Sequence, residues 1–109
     1  MGIRQEMVKQ LRALLDNRFI YGGYKTKPVL PYGNYAREES NYFYSDDTLT
    51  KRINEYIVRV VTEVKDFSLE ENIEQIYIDL DIPFRVVTDE DIDDEKVHCT
   101  EWIIFVLED

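Results

Sequence analysis

Histidine and cysteine are almost missing from this chain: its 109 residues include one His, His98, and one Cys, Cys99. A single cysteine cannot form an intrachain disulfide, and a reducing cytoplasm is the expected setting. The two residues are sequence neighbours on a segment expected to be a strand. Their side chains then leave opposite faces and cannot work as a Cys–His catalytic pair. No serine sits in a nucleophile-elbow pattern, which removes a Ser–His–Asp arrangement, and His98 reads as a polar strand residue. A structural zinc site takes about four Cys or His ligands, more than the chain has. Gly22–Gly23 is followed neither by Gly-Lys-Ser/Thr nor by a helical pattern, so no phosphate loop is present. The longest apolar run, Trp102 to Leu107, is far short of the ~20 residues of a membrane span. Near the start, Arg4, Glu6, Lys9 and Arg12 interrupt the apolar residues, unlike the core of a secretory signal. These absences lead to the expectation of a non-enzyme with no cofactor, no resident metal, no small-molecule substrate and no membrane contact.

What is present is acid. The net charge is −10, and it is unevenly placed: residues 1–60 hold 10 Lys/Arg against 7 Asp/Glu, whereas residues 61–109 hold 3 against 16. Sequence-specific or duplex nucleic-acid binding through the second half is disfavoured, because phosphates are met by Lys and Arg. A basic-leaning half and an acidic half attract one another head to tail if they form separate faces; solvated acidic loops are the plainer reading. With 44% apolar and 33% charged residues, the composition is globular and not disordered.

Periodicity places the elements. Ile3, Met7, Leu11, Leu14 and Leu15 share one face of a helix over 3–16. Arg18 to Tyr21 reads as a short strand, and Pro28 puts residues 25–31 in a loop or at a sheet edge. Residues 31–38 read as a strand with a bulge at Gly33, and Tyr42–Phe43–Tyr44 as a hairpin strand ending in the turn Ser45–Asp46–Asp47. Residues 52–63 form the clearest strand, with Asn54, Tyr56, Val58, Val60 and Thr62 on its mainly apolar face. Ser68 and Glu71 match a capping box for a second helix that runs to about Leu80 and stops at Ile82–Pro83. A short strand over 84–87, an acidic loop over 89–95 and a long strand over 97–107 follow. The expected fold is one α+β domain over 1–109, a mostly antiparallel sheet of about four to five strands with two helices packed on one face. The last strand is apolar on both faces from Trp102 to Leu107, which predicts a helix against one side and a partner chain against the other.

Two local patterns invite chemistry. Asp89, Asp91 and Asp93 have the first spacings of a calcium loop, but Asp94 stands where Gly is required and Thr100 where Glu is required. A solvated hairpin loop is the reading, with a loose divalent-cation site left open. Eight of the 14 aromatic residues (Phe19, Tyr21, Tyr24, Tyr32, Tyr35, Tyr42, Phe43 and Tyr44) fall between residues 19 and 44. Aromatics among bases can stack single-stranded nucleic acid, but no such motif accompanies them, and sheet core plus protein interface is the better account.

Taken in order, these segments resemble the tail-completion proteins (tail terminators, or head–tail joining proteins) of long-tailed phages and prophages. The likeness is carried by the amphipathic first helix, Phe19–Tyr24 and Pro31–Tyr32–Gly33–Asn34–Tyr35. It continues through Asn41–Tyr42–Phe43–Tyr44–Ser45–Asp46, Ile53 to Val58, the Leu–Glu–Glu helix, Ile82–Pro83–Phe84 and the long last strand. The resemblance implies a non-enzymatic virion assembly protein: a ring of copies, often six, at the head-proximal end of the tail, joined to tail-tube and head-connector proteins. It also implies assembly in the host bacterial cytoplasm and residence in the tail of the virion. The interface candidates are Tyr42, Phe43, Tyr44 and Asp46 of the hairpin, Asp89, Asp91 and Asp93 of the acidic loop, and Trp102 and Ile104 of the last strand. An acidic DNA mimic that inhibits a host DNA-binding protein is the alternative, and it calls for carboxylates spread along one elongated face.

Overall fold

In the computed structural model, backbone is described for residues 2–45 and 48–108, and side chains for those residues outside 41–51. Two helices, α1 (Ile3–Leu14) and α2 (Phe67–Asp79), accompany five strands: β1 (Phe19–Tyr21), β2 (Tyr32–Ser45), β3 (Thr48–Thr62), β4 (Phe84–Ile92) and β5 (Val97–Glu108). The sheet order is β1-β2-β3-β5-β4. β1 runs parallel to β2, and every other pair is antiparallel. The expected α+β fold is therefore present. None of the described helices is long and apolar enough to cross a membrane.

The helices lie on one side of the sheet. Met7 and Leu11 of α1, Leu15 at its C-cap, and Ile73, Ile76 and Tyr77 of α2 pack with Tyr56, Val58 and Val60 of β3 and Trp102, Ile104 and Val106 of β5. Full burial of side chains this large stabilises the fold by ~1.5–3 kcal/mol each. Trp102 is wholly buried, yet its indole N–H donates to Glu74 Oε2 at 2.8 Å, so its one polar atom is matched. Tyr77 packs edge-on to Trp102 and tilted against Phe84, and its buried hydroxyl finds no partner among the described residues.

Several boundaries differ from the sequence reading. No register shift occurs at Gly33; β2 slips instead between Arg37 and Glu39, and β4 slips between Val86 and Thr88. Gly33 serves close approach, since a Cβ there would lie 2.8 Å from the Arg59 carbonyl oxygen and 3.0 Å from the Phe19 ring. α2 is capped by Asp66, which accepts from the Leu69 N–H at 3.0 Å, and not by Ser68. Asp caps as well as Ser does, and Glu70 in the first turn accepts from Lys65 and Thr100. The acidic segment 89–95 is only partly a loop: β4 continues to Ile92 because pairing with β5 persists to Ile92–Val97.

The hairpin β2–β3 outgrows its neighbours. β5 pairs with β3 only as far as Arg52, and β1 pairs with β2 only at Gly33–Tyr35. Residues 48–51 of β3 and 43–45 of β2 therefore pass the end of β5, a reach of ~10–13 Å, and the molecule measures 53 × 24 × 24 Å.

Two substitutions test this packing. Gly33→Val should lower unfolding free energy by ~1–3 kcal/mol in urea titration; unchanged stability would mean that the strand–helix spacing is looser than described. Tyr77→Phe should leave stability equal or higher, by up to ~1 kcal/mol, because it removes an unmatched buried hydroxyl; a loss above that would reveal a partner for the phenol.

Candidate functional site

The face of the sheet away from the helices is open. Alternation along β3 and β5 places Ile53, Glu55, Ile57 and Arg59 beside Glu101, Ile103, Phe105 and Leu107. Ile53, Ile57, Ile103 and Phe105 are half-buried by their own neighbours, and Leu107 is 44% exposed. Arg59 and Glu101 pair across this face at 3.4 Å. Past Phe84–Ile104, β5 has no further strand beside it on the β4 side among the described residues. An apolar groove of about 370 Å³ opens there, lined by Ile3, Ile53, Leu80, Ile82, Phe105 and Leu107. An apolar strip interrupted by Glu55 opposite Phe105 and bounded by the Arg59–Glu101 pair has the mixed make-up of a protein contact surface.

The proposed contact residues fall in different places. Trp102 and Ile104 have no exposed surface and pack under the helices, which corrects their assignment to an interface; the outward residues of that strand are Ile103, Phe105 and Leu107. Phe43 and Tyr44 lie in the projecting part of β2, paired with Lys51 and Leu49, and Tyr42 at its base, paired with Arg52, but their side chains lie outside the described residues, as does Asp46 altogether. Asp93 is exposed at the β4–β5 turn, whereas Asp89 and Asp91 are committed to His98.

Two polar clusters sit at opposite ends of the helix-covered face. At the root of the hairpin, Glu108 accepts from Arg4 Nε at 3.0 Å, from Tyr56 Oη at 2.8 Å and, by a short bond, from Asn54 Nδ2. Asn54 Oδ1 in turn accepts from Ser40 Oγ at 2.6 Å. Burial raises the Glu108 pKa, but the three donors outweigh it and hold the carboxyl below its ordinary value. The Tyr56 phenol, desolvated and bonded to that carboxylate, is pushed up to about 12. The slip at Glu38 makes this cluster possible, because it turns Ser40 to the same face as Asn54.

At the other end, His98 is almost fully buried, with Nδ1 2.8 Å from Asp91 Oδ1 and Nε2 2.7 Å from Asp89 Oδ1. Lys65 Nζ bridges Glu70 Oε1 at 2.6 Å and Asp89 Oδ2 at 2.8 Å. Burial lowers the His98 pKa, yet the bonds to Asp91 and Asp89 prevail and leave it raised. The slip at Val87 again sets the geometry: without it Glu90, and not Asp89 and Asp91, would face the imidazole. Cys99 faces the opposite side, as alternation requires, and burial raises its thiol pKa. The signal for the hairpin cluster was Asn54 on an otherwise apolar strand face. For the His98 cluster the sequence showed only the Asp89–Asp91 spacing; the joining of both to His98 depends on a strand slip that has no local signal.

No protein-family model matches the sequence, and no curated protein does. Among solved structures, the chain is similar to one from the "Virion of native gene transfer agent (GTA) particle". The TM-score is 0.58, covering 97% of this chain and 90% of that one, at 10% sequence identity. The two chains share a fold: a one-sided α+β sheet, which is the class to which this protein belongs.

The Glu108 cluster makes a pH prediction. A carboxyl with a depressed folded-state pKa adds stability above its unfolded value, near 4.3 for Glu, and loses it as pH falls through the folded value. Glu108→Gln should cost ~2 kcal/mol at pH 7 and flatten the acid limb of stability below pH ~4.5, read by urea melts across pH. An unaltered acid limb would show that Glu108 carries no such linkage.

Proposed function

We propose that this chain is a non-enzymatic structural protein of a phage-like particle, which completes the tail at its head-proximal end as a ring of copies, often six, and joins tail tube to head connector. The fold likeness to a gene transfer agent virion chain, covering nearly the whole of both chains, is the observation that carries this reading. The ring geometry draws on the charge split. Strand order puts β1 and β2, from the basic-leaning half, toward one edge and β5 and β4, from the acidic half, toward the other, with β3 between them. Unlike edges on one subunit favour head-to-tail contacts, and such contacts close into rings when the rotation permits. The open strip of Ile57, Ile103 and Phe105 supplies apolar area, and the projecting hairpin supplies reach. On this account the protein assembles in the host cytoplasm and ends in the particle.

The DNA-mimic alternative calls for carboxylates along one elongated face. Instead, Asp89 to Glu95 gather round one turn, and two of them are matched by His98 and Lys65.

A double substitution, Ile103→Glu with Phe105→Glu, tests the proposal. Far-ultraviolet circular dichroism should report a folded chain, with stability within ~2 kcal/mol of the parent. In cells expressing the other particle genes, electron microscopy should then show tails unjoined to heads. Normal joining by the folded variant would contradict this use of the sheet face.

A further inference from the structure

The His98 cluster has the composition of a metal site. We propose that Glu70, Asp89 and His98 bind one zinc ion, in competition with the Lys65 ammonium that now lies against the two carboxylates. One ligand atom from each of the three residues can be chosen so that all lie within 4.8 Å of one another. Zinc bonds of about 2.0 Å in tetrahedral array place ligand atoms ~3.3 Å apart, so the cluster closes on an ion through small side-chain shifts. One imidazole and two carboxylates make three protein ligands and leave a fourth position for water.

The surroundings orient these ligands. Asp91 Oδ1 holds His98 Nδ1 at 2.8 Å, which directs Nε2 at Asp89. Metal-bound histidines are oriented in this way, by a carboxylate on the far ring nitrogen. Thr100 Oγ1 donates to Glu70 Oε2 at 3.2 Å and fixes the second carboxylate. The three ligands come from α2, β4 and β5, so an ion would tie the end of edge strand β4 to the helix layer. This set differs from the calcium-loop spacing in the sequence: Asp93 takes no part.

A cation already sits here. Lys65 Nζ contacts both Glu70 and Asp89 and sits 4.9 Å from the centroid of the exposed Phe67 ring, from which it can swing into water. The exchange is close to charge-neutral: the ion's two charges replace the ammonium and the proton held between Nε2 and Asp89, which leaves to solvent.

The experiment is a titration of tag-free protein with zinc chloride, followed by calorimetry and thermal melting. The parent chain should bind one ion at micromolar concentration. Its melting temperature should rise by on the order of 10 °C at a hundredfold excess over Kd. Lys65→Met should tighten binding at least tenfold by removing the competitor, and His98→Gln and Asp89→Asn should each weaken it at least tenfold. No saturable binding by either the parent or Lys65→Met would overturn the proposal, as would equal binding by His98→Gln. If His98→Gln fails to fold, Asp89→Asn and Lys65→Met decide the matter alone. None of these readouts depends on particle assembly.

Discussion

Two helices of 12 and 13 residues can cover only one face of a five-stranded sheet. Everything else in the molecule follows from which face they take. Strand side chains alternate strictly, so a single choice of parity sends Asn54, Tyr56, Val58, Trp102, Ile104 and Val106 inward and Ile53, Ile57, Ile103 and Phe105 outward. The inward set becomes the core. The outward set is too apolar for a face meant only for water, and in this account it is reserved for another chain.

The sheet departs from regular register at three points, one of them between Phe43 and Tyr44 in the projecting hairpin, and the other two each serve a polar cluster. The slip at Glu38 brings Ser40 round to Asn54 and the Glu108 carboxylate, at the base of the long hairpin. The slip at Val87 brings Asp89 and Asp91 round to His98, at the far end of the same face. Extra residues of this kind re-aim side chains at the cost of a local ladder contact. Here they place matched charge at both ends of an apolar layer, which fixes the hairpin root at one end and the edge strand at the other.

The fold was largely legible in the sequence, because helix and strand periods are local. The Met7–Leu11–Leu15 stripe, the alternation from Asn54 to Thr62 and the stop at Ile82–Pro83 each point to the element found there. Choices that depend on distant partners were not legible. Residues 102–107 are apolar on both sides, so nothing local says that Trp102 and Ile104, and not Ile103 and Phe105, meet the helices. The acidic run 89–95 reads as a loop until β5 is there to pair with it. Asp66 and Ser68 are both fit to cap α2, and contacts of Glu70 with Lys65 and Thr100 across elements accompany the outcome.

The central claim is that the open sheet face, and not the helix layer, meets other chains in the particle. Hydroxyl-radical footprinting of the free chain and of the same chain in assembled particles tests it directly. Ile53, Ile57, Ile103 and Phe105 should become protected on assembly, while the solvent-facing Phe67 and Ile78 of α2 keep their reactivity. Protection of Phe67 and Ile78 with an unchanged sheet face would contradict the account.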